Sequence, residues 1–592
     1  MAGLTHIFPI ATILLIALFF LGCPNLNKES LECSGQKHMT KRDILIVCII
    51  SALYALAAFS GLGDREAPQS FARFEPNEWE VFDLGEETAV SAIRYYPGLN
   101  TGNYTIEYSV DGQEWYLLCN QEQDYTSMFK WLDLSCDAFN ARYIGVLADS
   151  ELYLGSMVLY DGSGAIIPQS DIACSEAMTQ LFDEQDVIPE AQSYLNSTYF
   201  DEIYHARTAF ENIEGIYPYE ISHPPLGKLI IAIGISLFGM TPFGWRFSGT
   251  LFGVLMLPVL YVFIKRLFKK TEVAACATAI FAFDFMHFTQ TRIATIDTYG
   301  VFFILLMYLF MYLYVSEGDK KNLALSGIFF GIGAACKWTC LYAGAGLGVI
   351  WAISWIIRMR NGEKQVWSKF LKDCLFCVAF FVIIPALIYY ASYVPYGQAK
   401  GMHGIGMLFN PDYAATVAEN QKFMFTYHSG VHAEHPYSSR WYQWVINARP
   451  ILYYLNGFDD GTRSSFGAFL NPVLCWAGLG AMLIIAYLTV AYRDRKAGFI
   501  LLGYVAQLLP WVFITRTTFE YHYFPSAVFL TLAIAYIFSL IRDGNEKWKP
   551  YVYGLTAMSA VLFAVFYPAI SGMRVDNVLA TNLLKWFNSW PF

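Results

Sequence analysis

Charge is what this chain has least of. Only 15% of its 592 residues are Asp, Glu, Lys or Arg, and 56% are hydrophobic, whereas a soluble chain carries about a quarter charged residues. That scarcity excludes an ordinary soluble protein. Repeated apolar runs of about 18 residues or more point instead to a polytopic α-helical membrane protein. A basic surplus is also missing: the net charge is −10, which excludes nucleic acid as a partner because a phosphate-binding surface is basic. The cysteines show no metal-type spacing of C-x-x-C pairs with histidines, and no carboxylate–histidine set has ligand spacing, so no metal and no cofactor is expected. Cys276, Cys336, Cys374 and Cys377 lie in apolar runs as small hydrophobes. Cys119 and Cys136 lie in a soluble segment, where pairing and remaining free are both open. Internal repeats with polar groups at mid-membrane, expected of a transporter, are absent, which argues against a transporter or a displayed adhesin.

Apolar runs at 43–62, 243–264, 273–290, 297–315, 322–337, 339–357, 372–395, 472–491, 497–515, 520–541 and 551–570 make about eleven candidate spans. A shorter run at 7–22 reads as an extra span or an uncleaved signal-like segment. Lys and Arg in the short loops orient the chain. The loops "TKRD", "KRLFKK", "EGDKK", "RMRNGEKQVWSKFLK", "YRDRK" and "RDGNEKWK" fall on one side, the cytoplasm, leaving 63–242, 396–470 and the C-terminal tail outside. This alternation requires that "PPLGKLIIAIGISLFGM" not cross. Its apolar part is about 14 residues, a length suited to a helix lying along the outer surface.

Residues 64–165 break into short alternating runs such as "EWEVFDLG", "NYTIEYSV" and "ARYIGVLA", separated by turn residues. That is the pattern of an extracellular β-sandwich, with Asp111-Gly112 turning a hairpin. The order W-x-x-x-D-L-G, Y-S-x-D-G-x-x-W, A-R-Y-I resembles the discoidin (coagulation factor 5/8 type C) fold. That resemblance implies a possible glycan ligand, with a stabilising or spacing role equally open. Read as an insert standing apart, this domain should be removable without loss of chemistry on a short peptide.

The polar residues unusual for a membrane chain nearly all fall on the outer side. In "YFDEIYHARTAFENIEGIYPYEISHPPLGK" they are Asp201, Glu202, His205, Arg207, His223 and Lys228, followed by Arg246. Arg292 and Asp297 come next, then Lys337, His435, Arg440, Arg516 and His522. Singly, each has a structural reading. Arg246 and Arg292 serve as snorkelling anchors, Lys337 beside Trp338 as a cation–aromatic pair, and His435 and His522 as hydrogen-bonded structural histidines. Together, from six separate segments, they read as a site. An extracellular site for a lipid-linked phosphate donor needs such fixed cations, because they bind the phosphate and offset the charge it gains on departing. A carboxylate, Asp201 or Glu202, takes the proton of an acceptor hydroxyl. The same pair also suits a helix N-cap and first-turn acid. Pro224-Pro225 stiffens the link to Lys228.

The stretch from "FDEIYHARTAFENI" through "HPPLGK" to "GWRFSGTLFG" resembles the first luminal loop and second span of the protein O-mannosyltransferases, family-39 glycosyltransferases of GT-C architecture. "TQTRIATIDTY" and "GIGAACKWTCLY" resemble its Q-S-R-x-x-x-x-D and G-x-x-x-x-x-K-W segments, and "HPYSSRWYQW" and "LLPWVFITRTTFEYHYFP" its C-terminal four-span region. The resemblance implies transfer of mannose, with inversion, from a polyprenyl phosphate mannose to Ser or Thr hydroxyls of translocated proteins. It implies Asp201 as base with Glu202 beside it, and Arg246 as the second-span arginine. Lys228, Arg292, Lys337 and Arg516 are assigned beside Arg246 to the donor phosphate. A β-trefoil MIR-type insert between the last spans is missing, and the discoidin-like insert is additional. Both point to a bacterial member and leave the acceptor open. A related GT-C transferase using another lipid-linked sugar, or a lipid or wall-glycan acceptor, shares the acidic loop and is the alternative.

The expected division is therefore as follows. Residues 1–42 form a hydrophobic segment and cytoplasmic linker, 43–63 the first core span, and 64–165 the sandwich. Residues 166–242 form the acidic loop with its interfacial helix, 243–395 a transmembrane bundle, 396–470 a large extracellular loop, and 471–592 the four-span region and tail. The expected location is the cell membrane, with membrane lipid, donor and protein acceptor as partners.

Overall fold

The computed structural model describes residues 4–23, 35–430, 434–544 and 546–592; positions 24–34 of the expected linker lie outside the described residues. Helices α1 (Leu4–Leu21) and α2 (Lys41–Phe59) precede seven strands. These are β1 (Ala72–Phe74), β2 (Trp79–Pro97), β3 (Gly102–Ser109), β4 (Tyr116–Gln123), β5 (Leu132–Asp133), β6 (Phe139–Ala148) and β7 (Leu152–Asp161). Then come α3 (Glu202–Ile213), α4 (Leu226–Phe238), α5 (Pro242–Phe268), α6 (Thr271–Ala282), α7 (Phe285–Thr291), α8 (Asp297–Glu317), α9 (Lys320–Cys336) and α10 (Thr339–Arg360). Helices α11 (Val366–Val378), α12 (Ile384–Ala391), α13 (Val394–Ala399), α14 (Pro411–Gly430) and α15 (Trp441–Trp444) lead to a hairpin of β8 (Ile451–Gly457) and β9 (Thr462–Ala468). The chain closes with α16 (Gly478–Ala491), α17 (Arg495–Phe513), α18 (Phe524–Gly544), α19 (Lys549–Ser571), β10 (Val575–Asp576) and α20 (Asn577–Leu583). It divides into two compact units: a helical one of Met1–Ser60, Gly215–Ile230 and Gly249–Phe592, and a β unit of Gly61–Glu214 with Ile231–Ser248.

In the helical unit every one of the expected runs is helical. Among the described residues, nine helices are long and apolar enough to cross a membrane, or ten counting one bent pair. That pair, α6 and α7, replaces the expected straight span at 273–290 and bends by 58°. The cause is Asp284, which stops α6 and caps α7 by accepting the His287 N–H at 2.9 Å. The expected 322–337 span is α9, whose 17 residues reach only about 26 Å, short of a roughly 30 Å hydrocarbon core. Helix α4 has 13 residues, also too few to cross. Helix α2 begins on a capping box: Thr40 Oγ1 accepts from Asp43 N at 3.2 Å, and Asp43 Oδ2 accepts from Thr40 N at 2.8 Å. At the centre, the Glu520–Gly544 stretch has 94% of its apolar window buried, whereas Val366–Ala399 has 6% and turns outward. Helix α1 is part of this packing, with Phe19 edge-on to Phe538 at 5.2 Å.

The β unit is built on one antiparallel sheet, ordered β1-β7-β2-β6-β3-β4, with β5 pairing to β2. The 19-residue β2 pairs with β6 in its first half and β7 in its second. Alternating Phe82, Val90, Ile144 and Leu159 fill the core, all with 0% exposure. The β3–β4 hairpin forms where expected, but through a longer loop than a two-residue turn: Asp111 Oδ1 accepts from Gln113 N and Glu114 N, and Gly112 takes φ +74°. The expected boundary at 165 falls inside the packing. Ile172, Met178, Leu181 and Phe182 belong to the same core, and Ala173 bridges to Asp83. Cys119, Cys136 and Cys174 lie against this core as free thiols.

Candidate active site

The acidic pair belongs to the β unit. The chain enters it through Phe200, a bulky residue held at φ +48°, a conformation that costs energy unless its surroundings enforce it. Asp201 takes the N-cap position of α3, but its side chain makes no capping bond. Glu202, the first helical residue, is fully buried. Its two oxygens accept from Arg246 Nε and Nη2, each at 2.8 Å. Arg246, equally buried, also donates from Nη1 to the Leu62 carbonyl and from Nη2 to the Ser197 carbonyl, both at 2.9 Å, and stacks over Tyr199 at 4.8 Å. A buried ion pair is tolerable only when geometry and extra hydrogen bonds offset its desolvation, and this one is bidentate and further bonded. Arg246 was expected at the donor phosphate; here its guanidinium is occupied in fixing Glu202 and the segment before Asp201. Farther along α3, Arg207 is spent on Glu211 at 2.7 Å, and His205 is buried.

The helical unit holds a cavity of about 370 Å³ lined by His223, Pro224, Lys337, Trp338, His428, Trp511 and Arg516, among others. The sequence reading named His223, Lys337 and Arg516 but missed His428, which lies on α14 in the large loop. His428 Nε2 donates to the Ser222 carbonyl at 2.8 Å, and its ring meets that of His223 edge-on at 5.0 Å. Burial first, then the nearby His223 ring and the Arg516 cation, pull the pKa of His428 down to about 4. Burial also lowers that of His223. Both are therefore neutral near pH 7. Lys337 pairs with Asp297 at 2.6 Å, with its ammonium 5.6 Å from the Tyr521 ring centre. Among the described residues no carboxylate pairs with Arg516, which donates to the Thr517 carbonyl at 3.3 Å.

The remaining candidates sit around these features. Lys228 is fully buried, ion-paired with Glu220, and bonded to the Glu220 carbonyl at 2.6 Å. It therefore shapes the Pro224 turn and does not line the cavity. The acid in "YEISHPP" was the overlooked signal for that partner. Arg292 donates to the carbonyls of Ala58 and Ser60 at 3.0 and 2.8 Å and so anchors the end of α2. His522 stacks on Trp444 and meets Trp511 edge-on at 4.3 Å. His435 packs edge-on to Phe519 at 4.9 Å. Arg440 donates to the Thr515 carbonyl at 2.9 Å, holding the strand of chain that carries Arg516.

Known proteins resemble this chain in sequence and in fold. A family model for the dolichyl-phosphate-mannose-protein mannosyltransferases matches residues 222–389, and one for the C-terminal four TMM region of protein-O-mannosyltransferase matches 414–590. The acidic pair lies upstream of both. A polyprenol-phosphate-mannose–protein mannosyltransferase of Mycolicibacterium smegmatis is 27% identical over 470 residues, covering 70% of this chain and 88% of the relative. Its counterpart in Mycobacterium tuberculosis is 25% identical, covering 70% and 87%. Among solved structures, the Saccharomyces cerevisiae protein O-mannosyltransferase Pmt1–Pmt2 complex bound to the sugar donor is similar in fold. Its TM-score is 0.57 at 15% identity, over 67% of this chain and 89% of that one. With two models of this family in order along residues 222–590 and bacterial protein mannosyltransferases matched over 70% of this chain and nearly nine-tenths of their own length, this chain belongs to the protein O-mannosyltransferases, membrane glycosyltransferases of GT-C type.

Proposed function

We propose that this protein moves mannose from a polyprenyl phosphate mannose to Ser or Thr hydroxyls of protein acceptors at the outer face of the cell membrane. The observation that carries the reading is the step from Asp201 to Glu202. The second acid is clamped by the buried Arg246, which also holds the Ser197 carbonyl, and this fixes the short segment that presents Asp201 at the start of its helix. Asp201 accepts the proton of the acceptor hydroxyl as that oxygen bonds to the anomeric carbon. The bond from that carbon to the phosphate oxygen breaks, its electron pair leaves with polyprenyl phosphate, and attack from the opposite face inverts the centre. Arg516 and Lys337 line the cavity of the helical unit, and fixed cations of this kind suit a phosphate whose charge grows as it departs.

Asp201→Asn keeps the shape and removes the base. The expected result is loss of mannose transfer from polyprenyl phosphate mannose to a Ser/Thr peptide, with unchanged insertion and thermal unfolding. Near wild-type turnover by the purified variant would remove Asp201 from the mechanism.

A further inference from the structure

We propose that the inserted β domain is a working part of the catalytic centre: its Tyr125–Trp131 loop, through Phe129, sets the position of Asp201. This inference rests on the reading of Asp201 as base.

A short chain of bonds runs from the sheet to the acid. Phe129 N donates to the Pro97 carbonyl at the end of β2, at 2.8 Å. The Phe129 carbonyl in turn accepts from Thr198 N at 3.3 Å, and the Met128 carbonyl from Thr198 Oγ1 at 3.0 Å. Thr198 lies three residues before Asp201, and it follows Ser197, whose carbonyl Arg246 holds from the other side. The Phe129 ring meets Phe210 of α3 at 5.7 Å, and Phe71 meets the same ring at 6.1 Å. Tyr125 stacks on Tyr204 of α3 at 5.8 Å. The insert thus grips α3 at two rings and the segment before it at two hydrogen bonds.

Two further features favour positioning over mere support. Phe129 is buried, with 1% exposure, and takes φ +55°. Phe200 takes a comparable left-handed conformation directly before Asp201. Bulky residues persist in this region only where their surroundings over-determine them, and such residues cluster at active sites. Lys130, next in the loop, is held below the usual lysine range by burial, with Asp124 and Glu202 as its opposing partners. The insert therefore also places a cation within the electrostatic reach of the acidic pair.

The test uses the full-length protein in lipid nanodiscs, with polyprenyl phosphate mannose, a short Ser/Thr peptide and a whole-protein acceptor. Phe129→Ala is expected to lower kcat on both acceptors by roughly tenfold or more, the order of loss that follows a small misplacement of a reacting group. KM for the donor should stay unchanged, and Phe129→Leu should restore most of the rate. Tyr125→Ala, at the exposed edge of the loop, should lower kcat about threefold, the size of one aromatic pair, without moving the unfolding temperature. Full peptide turnover in Phe129→Ala with a raised KM for the protein acceptor alone would overturn the proposal and make the insert an acceptor-recruiting module. If Phe129→Ala cannot be purified folded, Tyr125→Ala decides: an unchanged kcat on the peptide overturns the proposal. An active Asp201→Asn would defeat the reading of the base itself. An inactive Asp201→Asn beside fully active Phe129 and Tyr125 variants would defeat only this inference.

Discussion

Arg246 holds one carboxylate and two carbonyls with the three nitrogens of its guanidinium, a task that a lysine, with one nitrogen, cannot repeat. Arg246→Lys should therefore lower kcat at least about tenfold by loosening Glu202 and Ser197, with the KM for donor unchanged. A raised donor KM with intact kcat would return Arg246 to the phosphate. Glu202→Ala should be worse for stability, because it leaves a buried guanidinium without its carboxylate, a loss of about 3–5 kcal/mol readable in thermal unfolding. The sequence showed both residues as out of place in an apolar chain, but not that they meet. They stand 44 residues apart, and nothing local in either segment names its partner.

Among the elements, hydropathy placed the runs at 43–62 and 497–515, while the structure shows what starts their helices: Thr40 and Asp43 open α2, and Asp494 caps α17 through Ala497 N at 2.7 Å. Asp284 was the same signal inside an apolar run, and reading it as a cap would have broken the 273–290 span. Helix α14 shows the opposite case, since its histidine, His428, acquires meaning only from Ser222 and His223 brought beside it. Its pKa of about 4, against an ordinary 6.5, sets a sign. The neutral form is the one packed here, so the full packing stability is present above about pH 6.5. It declines as pH falls towards 4, where the unfolded chain takes up the proton first. An anionic donor in the cavity favours the charged ring and raises that pKa. Binding then takes up a proton, and the KM for donor should fall as pH is lowered from 7 to 5. In His428→Gln that slope should flatten; an identical slope in the variant would place the donor elsewhere.

On the scale of the whole molecule, the helical unit carries most of the residues that the two family models match, and its spans could be read from hydropathy and loop charge because both are local properties. The β unit was legible as strands and turns, but not in its extent. Met178 and Leu181 look like ordinary loop residues until the sheet core is assembled around them, and Pro242–Ser248 reads as the start of a span while also belonging to the β body. That interleaving has a consequence for how the chain is made. The β unit is written in two pieces separated by Gly215–Ile230, and Glu202 is synthesised before the arginine it needs. At translation rates of about 5–20 residues per second, the acid waits on the order of seconds for Arg246 to emerge. During that interval the sheet can close, but the segment from 183 to 214 cannot. Ribosome-bound chains ending at 230 should therefore show a protease-resistant sheet with a cleavable 183–214 segment, and chains long enough to expose 248 should protect both. Equal protection at the two lengths would show that the loop folds without its arginine. On the reading of Asp201 as base, maturation of the acidic loop is thereby timed by delivery of α5 to the membrane, and the acid site is completed only once its anchor is being laid down.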